Sequence, residues 1–249
     1  MKNNFFNKSI GNINLKPSSK SEVTSQILYG EKFQVLSKKK GWLKIKTSYD
    51  NYIGYIKQNK FLEKFKPTNK IYKSRSIIFK KYNGKYKSTK NFLYFGSGIS
   101  AKQKNKKYIE FEKNKWIKKQ DTQKIDHYEK NYIKILKLFL NSKYLWGGKT
   151  VKGIDCSALI QIYFYYNRIF FPRDSKDQFK YSKKQSKNFN KGDIIFWKGH
   201  VGICINKTNF IHAYGPRRKV LIMPISSTIK IIKKTASLKI KKISNILSY

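Results

Sequence analysis

A single change of hydrophobic period, after Gln120, divides this chain into two kinds of structure. Before it, apolar residues alternate with polar ones in short runs: Phe33 and Val35, then Trp42, Leu43 and Ile45, then Tyr52, Tyr55 and Ile56. Turn signals at Tyr29-Gly30, Lys40-Gly41 and Tyr49-Asp50-Asn51 separate the runs. Short strands joined by tight turns predict a small β-barrel over residues 14–65. Residues 66–120 have the same texture, through Ser76-Ile77-Ile78-Phe79, Phe92-Leu93-Tyr94-Phe95, Tyr108-Ile109-Glu110-Phe111 and Lys115-Trp116-Ile117. With turns at Asn83-Gly84 and Gly96-Ser97-Gly98, they predict a second, diverged barrel.

Beyond Gln120 the spacing is helical. Ile125, Tyr128, Tyr132, Ile135, Leu136 and Phe139 predict a helix over 122–141, capped by Asp121 or Thr122. His127 lies in that stretch among polar neighbours and reads as a surface residue. A glycine-rich loop, YLWGGKTVKGID, leads to Cys156 and a run that is apolar nearly all round, as in a buried helix. Strand-like runs follow at 193–197, 200–205, 210–214 and 220–225. Helices followed by strands argue an α+β domain with an antiparallel sheet, spanning residues 121–249. Residues 226–249 alternate Lys and Ile without a motif.

Composition bounds the function. The chain carries 56 Lys and Arg against 13 Asp and Glu, a formal net charge of +43. Such a charge suggests phosphate neutralisation and nucleic acid. However, lysines outnumber arginines 51 to 5 and are spread along the whole chain, with abundant Tyr, Ile, Asn and Phe, as an AT-rich coding bias produces. Specific phosphate and base readers favour the bidentate fork of Arg, so no specific nucleic-acid partner is expected. A hydrophobic share of 39% excludes a disordered chain. No apolar run approaches the ~18 residues of a membrane span. The start lacks an apolar core with a cleavage site, which reads as cytoplasmic, with a periplasmic or extracellular location as the alternative. Two cysteines make no disulfide framework.

Against this background the rare residues stand out. From residue 130 onward there are four acids, Asp155, Asp174, Asp177 and Asp193, with His200, His212, Cys156 and Cys204. Cys156 opens a predicted helix, where exposed N–H groups and the helix dipole stabilise a thiolate and lower its pKa. His200 and His212 fall on successive strands, where cross-strand pairing could bring a base and its orienter together. Backbone N–H groups at the helix start could hold an oxyanion. Two other readings stay open: a buried cysteine with core histidines, and a zinc site, although no CxxC or HxxxH spacing is present. Cys204, between Ile203 and Ile205, reads as structural, and Asp193 as a turn stabiliser.

Tyr144-Leu-Trp-Gly-Gly, Gly153-Ile-Asp-Cys-Ser-Ala-Leu-Ile-Gln, Pro172-Arg-Asp-Ser-Lys-Asp-Gln, Gly192-Asp-Ile-Ile-Phe-Trp, Gly199-His-Val-Gly-Ile and His212-Ala resemble the motifs of NlpC/P60 cysteine peptidases, in the family's order. Residues 14–65 resemble a bacterial SH3 domain, and the combination is similar to γ-D-glutamyl-L-diamino acid endopeptidases of the dipeptidyl-peptidase VI type. The resemblance implies a papain-like α+β catalytic domain behind two SH3-like barrels. It makes Cys156 the nucleophile, His200 the base and His212 the orienting residue. The implied substrate is a muropeptide or peptidoglycan stem peptide with a free N-terminal L-Ala, cut after γ-D-glutamate. The family's amine-binding pocket maps onto Asp155, Ser157 and Ser175, with Glu31 and Tyr52 from the first barrel. Arg173 and Asp174 are expected to pair structurally. Ala158 departs from the glycine of many relatives. No metal or organic cofactor is implied, and oligomeric state is not legible. An exported wall hydrolase and a non-catalytic module that binds wall polymers or polyanions are the alternatives.

Overall fold

The computed structural model describes residues 4–183 and 188–249, which form two compact units meeting between Tyr128 and Glu129. The boundary read from the period change, Gln120, falls short of that junction. The cause is local. Asp121 is buried, accepts from the Ser76 hydroxyl at 2.6 Å and pairs with Lys73 at 2.9 Å, which ties residue 121 to the N-terminal unit.

In the N-terminal unit, the first six strands are β1 (Asn4–Phe5), β2 (Ile10–Asn14), β3 (Val23–Leu28), β4 (Lys32–Lys39), β5 (Trp42–Thr47) and β6 (Ile53–Lys57). They pair in the order β1-β4-β5-β6-β2-β3. Period-2 alternation in β5 buries Leu43, Ile45 and Thr47 and turns Trp42, Lys44 and Lys46 outward. Leu43 and Ile45 join Phe6, Ile13, Ile27, Phe33 and Ile56 in one core cluster.

The next strands are β7 (Asn69–Ile71), β8 (Arg75–Tyr82), β9 (Lys85–Tyr94), β10 (Gly98–Ile99), β11 (Gln103–Lys104), β12 (Tyr108–Glu112), β13 (Lys115–Lys118) and β14 (Thr122–Lys124). They form two separate sheets, β10-β7-β14 and β11-β12-β13-β8-β9. The expectation of two small barrels is therefore corrected: among the described residues neither set of strands closes, and the second divides into two open sheets. The predicted helix over 122–141 is also shorter than expected. Thr122–Lys124 pairs with β7 as a strand, and the helix itself begins only after Asn131, whose side chain caps Lys134 N–H.

The C-terminal unit contains α1 (Tyr132–Lys137), a small hairpin of β15 (Lys149–Thr150) and β16 (Gly153–Ile154), α2 (Cys156–Tyr166) and α3 (Ser175–Tyr181). There follow β17 (Asp193–Trp197), β18 (His200–Cys204), β19 (Asn209–Tyr214), β20 (Lys219–Pro224), α4 (Ile225–Ala236) and β21 (Lys242–Asn245). The sheet order is β20-β19-β18-β17-β21, antiparallel throughout. The α+β expectation holds, and α2, buried nearly all round, packs on β18 and β19. The motif-less tail contributes α4 and an edge strand beside β17. Asp193 accepts from Asn190 N–H and the Asn245 amide, so it ties the turn before β17 to that edge strand. No helix among the described residues is long and apolar enough to cross a membrane.

Candidate active site

The site is built on the first turn of α2. Asp155 is the N-cap, in extended conformation, and its Oδ1 accepts from Ala158 N–H at 2.8 Å. The loop before it is held close by glycine. A Cβ on Gly148 would lie 2.4 Å from the Gly153 carbonyl oxygen, and Gly147, at φ +70°, donates its N–H to Asp155 Oδ2 at 3.0 Å.

Arg173, fully buried, reaches Asp155 with both guanidinium nitrogens, at 3.0 and 2.6 Å, and donates to the Ser157 hydroxyl at 3.0 Å. Ser157 in turn donates to Asp155 Oδ1 at 3.1 Å. Arg173 thus pairs with the cap of the cysteine helix. This role was missed from sequence, although the residue is one of only five arginines. Gln178 on α3 adds a second tie, with its amide donating to the Ser157 and Pro172 carbonyls, both at 2.9 Å. Ser175, half-buried, begins the same helix.

Cys156 is buried at the start of α2, and the Val201 and Ser157 backbone N–H groups bond toward its sulfur. Val201 follows His200, so the thiol lies beside the strand that carries the candidate base. His200 Nε2 is 2.9 Å from His212 Nδ1. In the tautomer where His200 Nε2–H donates, His200 Nδ1 keeps its lone pair for the thiol proton, and His212 carries its proton on Nε2. That Nε2 is buried without a partner among the described residues. The pair is walled by aromatics: Tyr214 stacks on His212 at 4.8 Å, Phe210 lies at 4.8 Å, and Trp197 is 5.7 Å from His200.

Gly202 makes the close approach of β18 and β19 possible. A Cβ there would lie 2.2 Å from the Phe210 ring and 2.8 Å from His212 Cβ. Gly202→Ala therefore displaces His212, costs about 1–3 kcal/mol by overpacking and lowers kcat. Thermal melts and turnover of the variant check both effects.

Burial dominates the titration of all three groups. The Cys156 thiol is pushed up to about 12, by burial first and by Asp155 second, against the pull of Val201 N–H, Arg173 and Ser157 N–H. His200 falls from 6.5 to about 4 through burial, and His212 to about 2 through burial and then through His200. This corrects the expectation of a low cysteine pKa. The donors act in the expected direction, but removal from water penalises the thiolate more. The resting site at neutral pH holds a thiol and two neutral imidazoles, so proton transfer accompanies attack.

Both histidines sit below 6.5, so the unfolded chain binds protons that the folded chain refuses. Their contribution to stability is complete above pH 6.5 and is lost as pH falls toward 4 and below. The acid limb of kcat/KM accordingly lies near pH 4, and initial rates measured across pH 3–8 check it. A limb at 6.5 would contradict a desolvated His200.

Of the remaining predicted residues, Glu31 lies buried in the β3–β4 turn. Tyr52 is half-buried just before β6, with its hydroxyl donating to the Thr24 carbonyl at 3.5 Å. Both belong to the N-terminal unit. Cys204 is a core residue of β18 whose carbonyl accepts the Tyr132 hydroxyl at 2.7 Å.

Residues 141–237 match the model of the NlpC/P60 family, and residues 16–61 match that of the bacterial dipeptidyl-peptidase SH3 domain. The C-terminal unit carries an NlpC/P60 domain. NlpC/P60 domains are of the cysteine peptidase type, and here one stands behind an SH3 domain. Dipeptidyl-peptidase 6 of Lysinibacillus sphaericus is 25% identical over 230 residues, covering 82% of this chain and 84% of its own. A γ-D-glutamyl-L-lysine dipeptidyl-peptidase of Bacillus subtilis is 25% identical over 231 residues, or 83% and 77% of the two chains. The fold of an NlpC/P60 family protein from Bacillus cereus superimposes with a TM-score of 0.82, over 98% of this chain and 99% of that one, at 20% identity.

Proposed function

We propose that this NlpC/P60 protein cuts peptidoglycan stem peptides with a free N-terminal L-Ala between γ-D-glutamate and the diamino acid, in the recycling of wall peptides. The observation that carries this reading is the paired His200 and His212 beside a cysteine at a helix N-terminus. The end-to-end likeness to proteins named for this dipeptidyl-peptidase activity supports the substrate class.

Cys156 gives its proton to His200 Nδ1 as the sulfur attacks the γ-carbonyl carbon. The Cys156 backbone N–H receives the developing oxyanion, because Asp155 takes the Ala158 N–H and the Ser157 N–H is directed at the sulfur. His200 then passes the proton to the departing amine as the C–N bond breaks, and activates the water that hydrolyses the thioester. His212 holds His200 in register throughout. Asp155 already accepts five hydrogen bonds, from Ala158, Ser157, Gly147 and twice from Arg173. Its part in binding the substrate ammonium is therefore to hold Ser157, while Ser175 at the start of α3 supplies a further polar contact.

The test is incubation with L-Ala-γ-D-Glu-meso-diaminopimelate and its N-acetylated copy, following release of diaminopimelate. Cleavage of the free-amine peptide alone is the expected result. Cleavage of both overturns the amine pocket, and cleavage of neither overturns the substrate. Degradation of whole sacculi in preference to the free tripeptide would favour an exported wall hydrolase.

A further inference from the structure

We propose that the first β-module carries an accessory site for carboxylate-bearing peptides, in the concavity beside Trp42. The cavity measures about 280 Å³, near the lower bound for a small-ligand site. Phe6 and Ile56 form its apolar base, and Trp42 offers a half-exposed aromatic wall. Lys57 is the direct cross-strand partner of Trp42, and both Lys57 and Lys8 line the cavity. No acidic side chain lines the cavity among the described residues.

The opposite wall is built rather than incidental. Buried Asn14 donates its amide to the Ser21 and Ser18 carbonyls, at 3.0 and 3.4 Å, and so pins the loop that brings Ser19 and Val23 to the rim. Asn59 adds an exposed amide that can pair with a peptide group. An apolar and aromatic floor, amides at the rim and two cations without an anion suit a short peptide that ends in carboxylates. Stem peptides have this chemistry, and for that identification the inference rests on the function proposed above. The site is separate from Glu31 and Tyr52, neither of which lines it.

The experiment is calorimetric titration of the full-length Cys156→Ala protein with L-Ala-γ-D-Glu-meso-diaminopimelate, with wild-type turnover of the same peptide measured in parallel. Two binding sites are expected. Lys8→Glu with Lys57→Glu weakens one of them at least 10-fold, whereas Lys233→Glu with Lys234→Glu, an equal charge change on exposed positions of α4, leaves both unchanged. A single site that the Lys8/Lys57 pair does not affect, equal weakening by both pairs, or no binding overturns the accessory site. Turnover without a second site sinks the accessory site alone; a Lys57-dependent site without turnover sinks the proposed peptidase specificity and leaves this cavity standing.

Discussion

Cys156→Ala abolishes release of the diamino acid, by roughly 10⁴-fold or more, while the protein keeps its fold. Loss on that scale follows because nothing else beside His200 can form the acyl intermediate. Cys204 is the other cysteine, and it is sealed in the core of β18. The fold survives because the change removes one sulfur from a helix whose cap, Asp155, and packing partners are untouched. Cys156→Ser fails almost as badly. A hydroxyl is a far weaker acid than a thiol, and a base held near 4 cannot draw its proton in a dry site. Circular dichroism, thermal melts and tripeptide turnover separate the two effects. Activity retained in Cys156→Ala would end the nucleophile assignment.

The parts of this protein that were legible in the sequence are those where local pattern and tertiary role agree. The strands carrying the histidines were read to within a residue or two, because each is a short apolar run between turn signals, and Gly199, at φ +75°, marks the hairpin between β17 and β18. The cysteine helix was legible from its apolar run, since a helix buried all round has no polar face to confuse the reading. Where contacts distant in sequence decide, the pattern misled. Thr122–Lys124 had helical spacing but pairs with β7, more than fifty residues back. Strand-rich texture in residues 66–120 suggested a barrel, yet closure depends on which edges meet, and period-2 alternation carries no information on that. The tail gave no motif because its order comes from docking on β17. The thiol pKa was misjudged for a similar reason. A helix N-terminus can be seen in sequence, but the degree of burial around it cannot.

Arg173→Met tests the least expected part of the site. The guanidinium is buried with Asp155, at 1% and 6% side-chain exposure, so its removal leaves a carboxylate in the interior without a counter-charge. Breaking a buried pair from one side costs about 3–5 kcal/mol, most of it the penalty on the abandoned charge. Two consequences follow at the nucleophile. Asp155 already raises the Cys156 pKa and Arg173 opposes it, so the variant that folds has a thiol still harder to ionise. Ser157 also loses a donor, and the first turn of α2 loosens around the sulfur. The expected result is a large fall in melting temperature together with slower alkylation of Cys156 at a given pH. Adding Asp155→Asn separates charge from shape. Asparagine still caps α2 through its carbonyl oxygen but carries no charge, so the double variant recovers most of the lost stability without recovering the guanidinium's hold on Ser157. Stability that stays low in the double variant would show that packing and hydrogen bonds, rather than the unpaired carboxylate, dominate at this position.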